Sequence, residues 1–184
     1  MAPWLSLIKY QINMKKLIYA FSFFLAFQYV NAQDLFSAAR ANNVKEIEQL
    51  ISEGKDVNTK NERGFTPLIL AVYIQNKETV QFLLENGANP NAQDNSGNTA
   101  LMGAAFKGYS ELISLLIQFK ADVNQTNNSG ATALIFAVTF GQNEIAQKLI
   151  DAGTDLIIKD NSGKTAKDHA ILQENKTMID ILSR

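Results

Sequence analysis

Gly64-Phe65-Thr66-Pro67-Leu68-Ile69-Leu70-Ala71 returns, with substitutions, as Gly97-Asn98-Thr99-Ala100-Leu101-Met102-Gly103-Ala104. It returns again as Gly130-Ala131-Thr132-Ala133-Leu134-Ile135-Phe136-Ala137 and as Gly163-Lys164-Thr165-Ala166-Lys167-Asp168-His169-Ala170. Each copy begins 33 residues after the last. A further column holds Gly54, Gly87 and Gly153, with Lys120 in the missing place. Several columns in register over four copies mark an array of stacked supersecondary units, none of which can bury its apolar side alone.

Residues 94–126 show how one unit is built. Asp94-Asn95-Ser96-Gly97 reads as a turn, because Asn and Gly tolerate positive φ. Thr99 supplies a hydroxyl for the start of a helix, and Leu101, Ala104 and Ala105 give that helix an apolar stripe. Gly108 breaks it, and Glu111 to Phe119 makes a second helix with Leu112, Ile113, Leu115 and Leu116 on one side. Ala121-Asp122-Val123-Asn124 then runs extended toward the next turn. Pro67 suits the first position of its helix, where a missing N–H has no partner to lose.

These residues resemble the ankyrin-repeat family, whose pattern G-x-T-P-L-H-x-A is followed by L-L-x-x-G-A-D-V-N. The match is carried by Gly64 to Ala71 and by Leu83-Leu84-Glu85-Asn86-Gly87-Ala88-Asn89-Pro90-Asn91. The resemblance implies an all-α solenoid of helix–turn–helix units with short β-turn fingers. It divides residues 33–184 into a capping copy 34–60, full copies 61–93, 94–126 and 127–159, and a C-terminal copy 160–184. The sequence departs from the family in places. Ile69, Met102, Ile135 and Asp168 stand where the family has the His that ties one copy to the next, so apolar packing is expected to replace it. Lys120 replaces a helix-ending Gly, and in a left-handed conformation that costs about 1 kcal/mol. Lys148 falls in an apolar column and Ile157 replaces an Asn, so copy 127–159 is expected to be less regular.

The segment before the array has another character. Residues 1–32 hold Lys9, Lys15 and Lys16 and no acid. Lys15-Lys16, the apolar run Leu17–Phe27, and Val30 and Ala32 at −3 and −1 of a cut form a secretory signal over 14–32. An uncleaved anchor is the alternative, although the run falls short of the roughly 20 residues a span needs. Residues 1–13 read as an upstream extension, with Met14 as the alternative start. Cleavage after Ala32 is expected to leave a periplasmic or secreted protein that does not associate with membranes. Its 14 basic and 18 acidic residues, net −4, argue against a nucleic-acid partner and suit a basic protein partner. The absence of Cys excludes disulfides, zinc–thiolate sites and Cys nucleophiles, and a single His excludes a multi-His metal site.

In the resembled family, partners bind a concave groove lined by the first helices and the fingers. The corresponding positions here are Tyr73, Ile74, Phe106, Lys107 and Phe140 at the helix ends. Glu62, Arg63, Phe65, Asn95, Asn98 and Asn128 take the equivalent places on the fingers. Three aromatics in consecutive copies (Tyr73, Phe106 and Phe140) are expected to form one patch of the kind that anchors interfaces. The competing reading buries them in the seams between copies.

No motif points to catalysis or to a cofactor. Lys167, Asp168 and His169 are sequence neighbours and so diverge around a helix. Asp94-Asn95-Ser96-Gly97-Asn98 lacks the Gly at six and the Glu at twelve of a calcium loop. Asn124, Asn127 and Asn175 head formal glycosylation sequons, which matter only in a eukaryotic host. The expectation is a monomeric, non-catalytic interaction module without cofactor or metal. A periplasmic immunity or accessory protein serving a toxin or exported enzyme is the alternative, and a small hydrolase ranks last.

Overall fold

Thr66, Thr99, Thr132 and Thr165 each sit in extended conformation before a helix, and each Oγ1 accepts the backbone N–H three residues on, at 3.2–3.3 Å. That bond satisfies one of the donors left orphaned at a helix start. The 33-residue recurrence of Thr is therefore a recurrence of helix starts. The computed structural model describes residues 34–183; the signal over 14–32, its cut after Ala32 and the extension 1–13 lie outside the described residues.

Among the described residues, ten helices pair into five hairpins. In chain order they are α1 (Leu35–Arg40) with α2 (Val44–Ser52), α3 (Pro67–Tyr73) with α4 (Lys77–Glu85), and α5 (Ala100–Lys107) with α6 (Ser110–Gln118). Then follow α7 (Ala133–Thr139) with α8 (Asn143–Asp151), and α9 (Ala166–Leu172) with α10 (Lys176–Ile181). No strand occurs among the described residues, and the molecule is the all-α solenoid that the period implies. Helices this short are marginal in water, so packing decides whether they form. Each first helix lies against the next, and each second helix against its pair-mate and its neighbours in the outer layer. None of the described helices is long and apolar enough to cross a membrane.

The two layers differ in burial. All of Pro67–Val72 and all of Ala100–Ala105 are buried, because a first helix has neighbours before it, after it and beside it. Ala71, Ala104, Ala137 and Ala170 have no exposed surface, and their small size lets the first helices approach closely. Leu68, Leu101 and Leu134 fill the layer between, and burying each is worth about 1.5–3 kcal/mol. The second helices are amphipathic. In α4, Val80, Leu83 and Leu84 face inward while Glu78, Gln81 and Glu85 meet solvent. In the three full copies the second layer thus has solvent along one face, whereas the first layer meets it chiefly at the helix ends.

Irregular positions take specific forms. Lys120 has φ 65°, left-handed as its glycine column requires, and its side chain extends into solvent. Ile69, Met102 and Ile135 are buried in the column where the family has His. Asp168, in the same column, behaves differently: its Oδ2 accepts the N–H and Oγ1–H of Thr165, making a reciprocal cap. Lys148 keeps its apolar column by bending its ammonium to Ser114 Oγ (3.2 Å) and Glu144 (3.3 Å). Asn58, Asn91 and Asn124 each accept a backbone N–H of the following copy at 2.7 Å. Ile157 continues their column, cannot accept, and stands 77% exposed.

Candidate functional site

Four fingers form one wall of the groove. Each opens with Asn61, Asp94, Asn127 or Asp160, whose Oδ1 accepts the backbone N–H groups two and four residues on at 2.8–3.0 Å. This is the Asx-turn chemistry of short polar side chains. The Asp94 oxygen that a calcium-loop reading needs is therefore occupied by the turn itself. Fingers then bond to one another. The N–H groups of Asn95, Asn128 and Asn161 donate to the carbonyls of Arg63, Ser96 and Ser129 at 2.9–3.1 Å. Their side-chain amides donate to the carbonyls of Glu62, Asn95 and Asn128 at 2.9–3.0 Å. Asn98 Oδ1 accepts from Asn127 Nδ2 at 2.8 Å. The structure thus places the amides of Asn95, Asn98 and Asn128 in a ladder between fingers. Glu62 and Arg63, at the tip of the first finger, are exposed.

Aromatic rings line the floor in two groups. Phe65 on the first finger stacks on Tyr73 at the end of α3, with centroids 5.6 Å apart. Phe106 at the end of α5 meets Phe140 edge-on at 4.5 Å, and Phe140 stacks on Phe136 at 6.3 Å. Phe106 is 37% exposed and Phe140 47% exposed, so the two adjoining rings leave a contiguous apolar surface open to solvent. Tyr73 is only half-buried, and its ring packs over Gly103 of the next copy. Between the two groups opens a cavity of about 190 Å³ walled by Tyr73, Phe106 and Phe136, with Met102 and Asn98 completing it. Gly103 lets the Tyr73 ring lie close over the next copy, since a Cβ there would already stand in contact with the ring at 3.4 Å. Burial, and secondarily the Asp94 carboxylate, push the Tyr73 phenol above its ordinary pKa, so it remains a neutral O–H group at physiological pH. Ile74 is exposed beside this floor, and Lys107 holds its ammonium 5.7 Å from the Phe106 ring centre.

Sequence reasoning missed Phe136, which occupies the column of Leu70, Gly103 and His169 rather than that of the helix ends. The available signal was Phe136 itself, a large ring one copy after Gly103 in the same column, over which Tyr73 leans.

His169 diverges from Lys167 and Asp168, but it is not solitary. Its Nε2 lies 2.7 Å from Asp160 Oδ2, nine residues back on the last finger. The Ser162 hydroxyl donates to Asp160 Oδ1 at 2.7 Å, and together with the Lys164 N–H and His169 it holds the Asp160 carboxyl far below its ordinary pKa. A nucleophilic triad puts His between Ser and Asp. Here Asp lies between Ser and His, an order that clamps a finger to α9 and activates no hydroxyl. Among the described residues, no group of three or more acidic or His side chains gathers as metal ligands.

Comparison with known proteins agrees with this architecture. A family model described as ankyrin repeats (3 copies) matches residues 35–127 and 102–184. A stretch of 42 residues is 50% identical to the mitochondrial disaggregase of Bos taurus and to that of Homo sapiens. It amounts to 23% of this chain and 6% of each relative, so the chain spans a small part of those proteins' length.

Proposed function

The chain belongs to the ankyrin-repeat family, and on that premise we propose that it is an exported, non-catalytic protein whose groove grips a protein partner. Ankyrin repeats are a protein–protein interaction module, and the fold is typically a scaffold rather than a catalyst. The observation that carries the reading is the cavity between Tyr73, Phe106 and Phe136, continuous with the exposed Phe140. Interfaces draw most of their energy from a few aromatic anchors and the pockets beside them. Because packed helices and the finger ladder fix the rings in advance, association forfeits little ordering entropy. Export is supported by Lys15-Lys16, the apolar run behind them and the small residues before Gln33. The site of action is then the periplasm or the exterior, and the working form is a monomer.

Affinity capture from the exported fraction, with the full chain as bait, tests this beside a Phe106→Ser/Phe140→Ser variant. The expected result is a protein retained by the wild type and reduced at least tenfold with the variant. Equal retention by both contradicts the groove reading. Amino-terminal sequencing of the exported protein checks the processing, with Gln33 the expected first residue.

A further inference from the structure

The net charge of −4 over residues 33–184 points to a basic partner, but charge is not spread evenly over the two sides of the solenoid. The first-helix and finger side comprises 34–43, 60–76, 93–109, 126–142 and 159–175, and it carries seven basic and six acidic residues. The second-helix side comprises 44–59, 77–92, 110–125, 143–158 and 176–183, and it carries six basic and twelve acidic residues. The excess acid lies on the convex layer. On the groove side three of the six acids are occupied within their own copy. Asp94 and Asp160 accept finger N–H groups, and Asp168 accepts from Thr165.

The basic groups of the groove are arranged otherwise. Arg40 occupies the column of Tyr73 and Phe106, one copy ahead of Tyr73, and Lys107 adjoins Phe106. At helix spacings of about 10 Å, Arg40 lies one helix beyond the Tyr73 wall of the cavity, and Lys107 lies beside its Phe106 wall, both along the helix-end rim. Arg63 stands on the finger beside Phe65. All three are exposed, and no described carboxylate lies within ion-pair distance of any of them. On the convex side two of the six cations are paired, Lys77 with Glu111 at 2.8 Å and Lys148 with Glu144 at 3.3 Å.

From this charge complementarity, and resting on the proposed use of the groove, we infer that its occupant is an acidic protein segment. One apolar side chain of that segment, aromatic or branched aliphatic, fills the cavity between Tyr73, Phe106 and Phe136. Asp or Glu residues flanking it meet Arg40 and Lys107 along the helix-end rim. The acidic convex layer repels such a segment, so the same charge pattern that attracts it to the groove keeps it off the back. Binding weakens with added salt because the rim cations are exposed and screened.

Panning a phage-displayed library of random twelve-residue peptides against the full chain tests this. Selected peptides are expected to share an apolar residue within three positions of Asp or Glu. Their binding should fall at least tenfold with Phe106→Ser. It should fall similarly with Lys107→Glu or Arg40→Glu, two exposed changes whose unaltered melting temperature confirms folding. Peptides rich in Lys or Arg that are still lost with Phe106→Ser overturn the acidic occupant and leave the groove reading standing. Acidic peptides that bind Lys107→Glu and Arg40→Glu as well as wild type overturn the rim assignment. Peptides indifferent to Phe106→Ser overturn both readings, and a library that yields no enriched peptide overturns the acidic occupant.

Discussion

Copy 94–126 and the C-terminal copy 160–184 start from the same signals and end in different states. Both open with Asp-Asn-Ser-Gly, both cap a helix with Thr, and both carry Ala one and five residues after that Thr. In the first, α5 is buried from Ala100 through Ala105. In the second, α9 buries only Ala166 and Ala170. The column Val72, Ala105 and Val138 has no exposed surface, whereas Ile171 in the same column is 50% exposed. A Cβ on Gly97 would collide with Asn128 of the next finger at 2.6 Å, whereas one on Gly163 meets nothing within 4 Å. Burial in this molecule is therefore conferred by the following copy, and identical residues differ in worth according to what is stacked on them.

The largest expected contrast lies in the first-helix leucines. Leu101→Ala removes a fully buried side chain between two neighbours and should cost about 2–5 kcal/mol by chemical denaturation. A loss under about 1 kcal/mol would show that the stack relaxes around the hole and would break the comparison. The glycine pair sharpens it. Gly97→Ala and Gly163→Ala both place a side chain at positive φ, near 78° and 77°, a conformational cost of about 1 kcal/mol. Only Gly97→Ala also pushes on the backbone of Asn128, so it should lower the melting temperature distinctly more.

A change of opposite sign comes next. Lys120→Gly relieves a left-handed residue in open space and should stabilise the protein by roughly 1 kcal/mol. At the exposed end, Ile171→Ser should stay within about 0.5 kcal/mol of wild type, as surface changes do. The last finger also carries an acid dependence. The Asp160 carboxyl is depressed by the Ser162 hydroxyl and further by the Lys164 N–H and His169, so its contribution is present above the ordinary carboxylate range. It is lost as the pH falls through and below that range. Amide exchange of residues 160–164 should accelerate below pH 4 relative to 94–98, and Asp160→Asn should remove the difference.

Much of the fold could be read from spacing, because caps, turns and small residues act locally and recur every 33 positions. Thr66 and its three equivalents announced the helix starts, and Lys120, in a column otherwise held by Gly, does take the left-handed backbone that the column implies. The groove was legible only in outline. Phe106, Phe140, Ile74 and Lys107 are exposed at the helix ends, but Tyr73 leans over Gly103 and is half-buried, a contact between copies that no single copy encodes. Phe136 entered the cavity from another column for the same reason. Asn95 and Asn128 looked like free finger tips because nothing local shows that a neighbouring finger takes their amides. His169 and Asp160 meet across a finger and a helix turn, where adjacency in sequence gives no guidance.

Tyr73 is consequently a poor first probe of binding, since truncating it disturbs a seam as well as a surface. Phe106 and Phe140 are cleaner. The most direct test is hydrogen exchange of the full chain with and without a bound peptide from the selected library. Slowed exchange confined to the finger tips and to residues 105–108 and 139–141 is the predicted result. Slowed exchange centred on α6 and α8 instead would place the partner on the convex layer and contradict the groove.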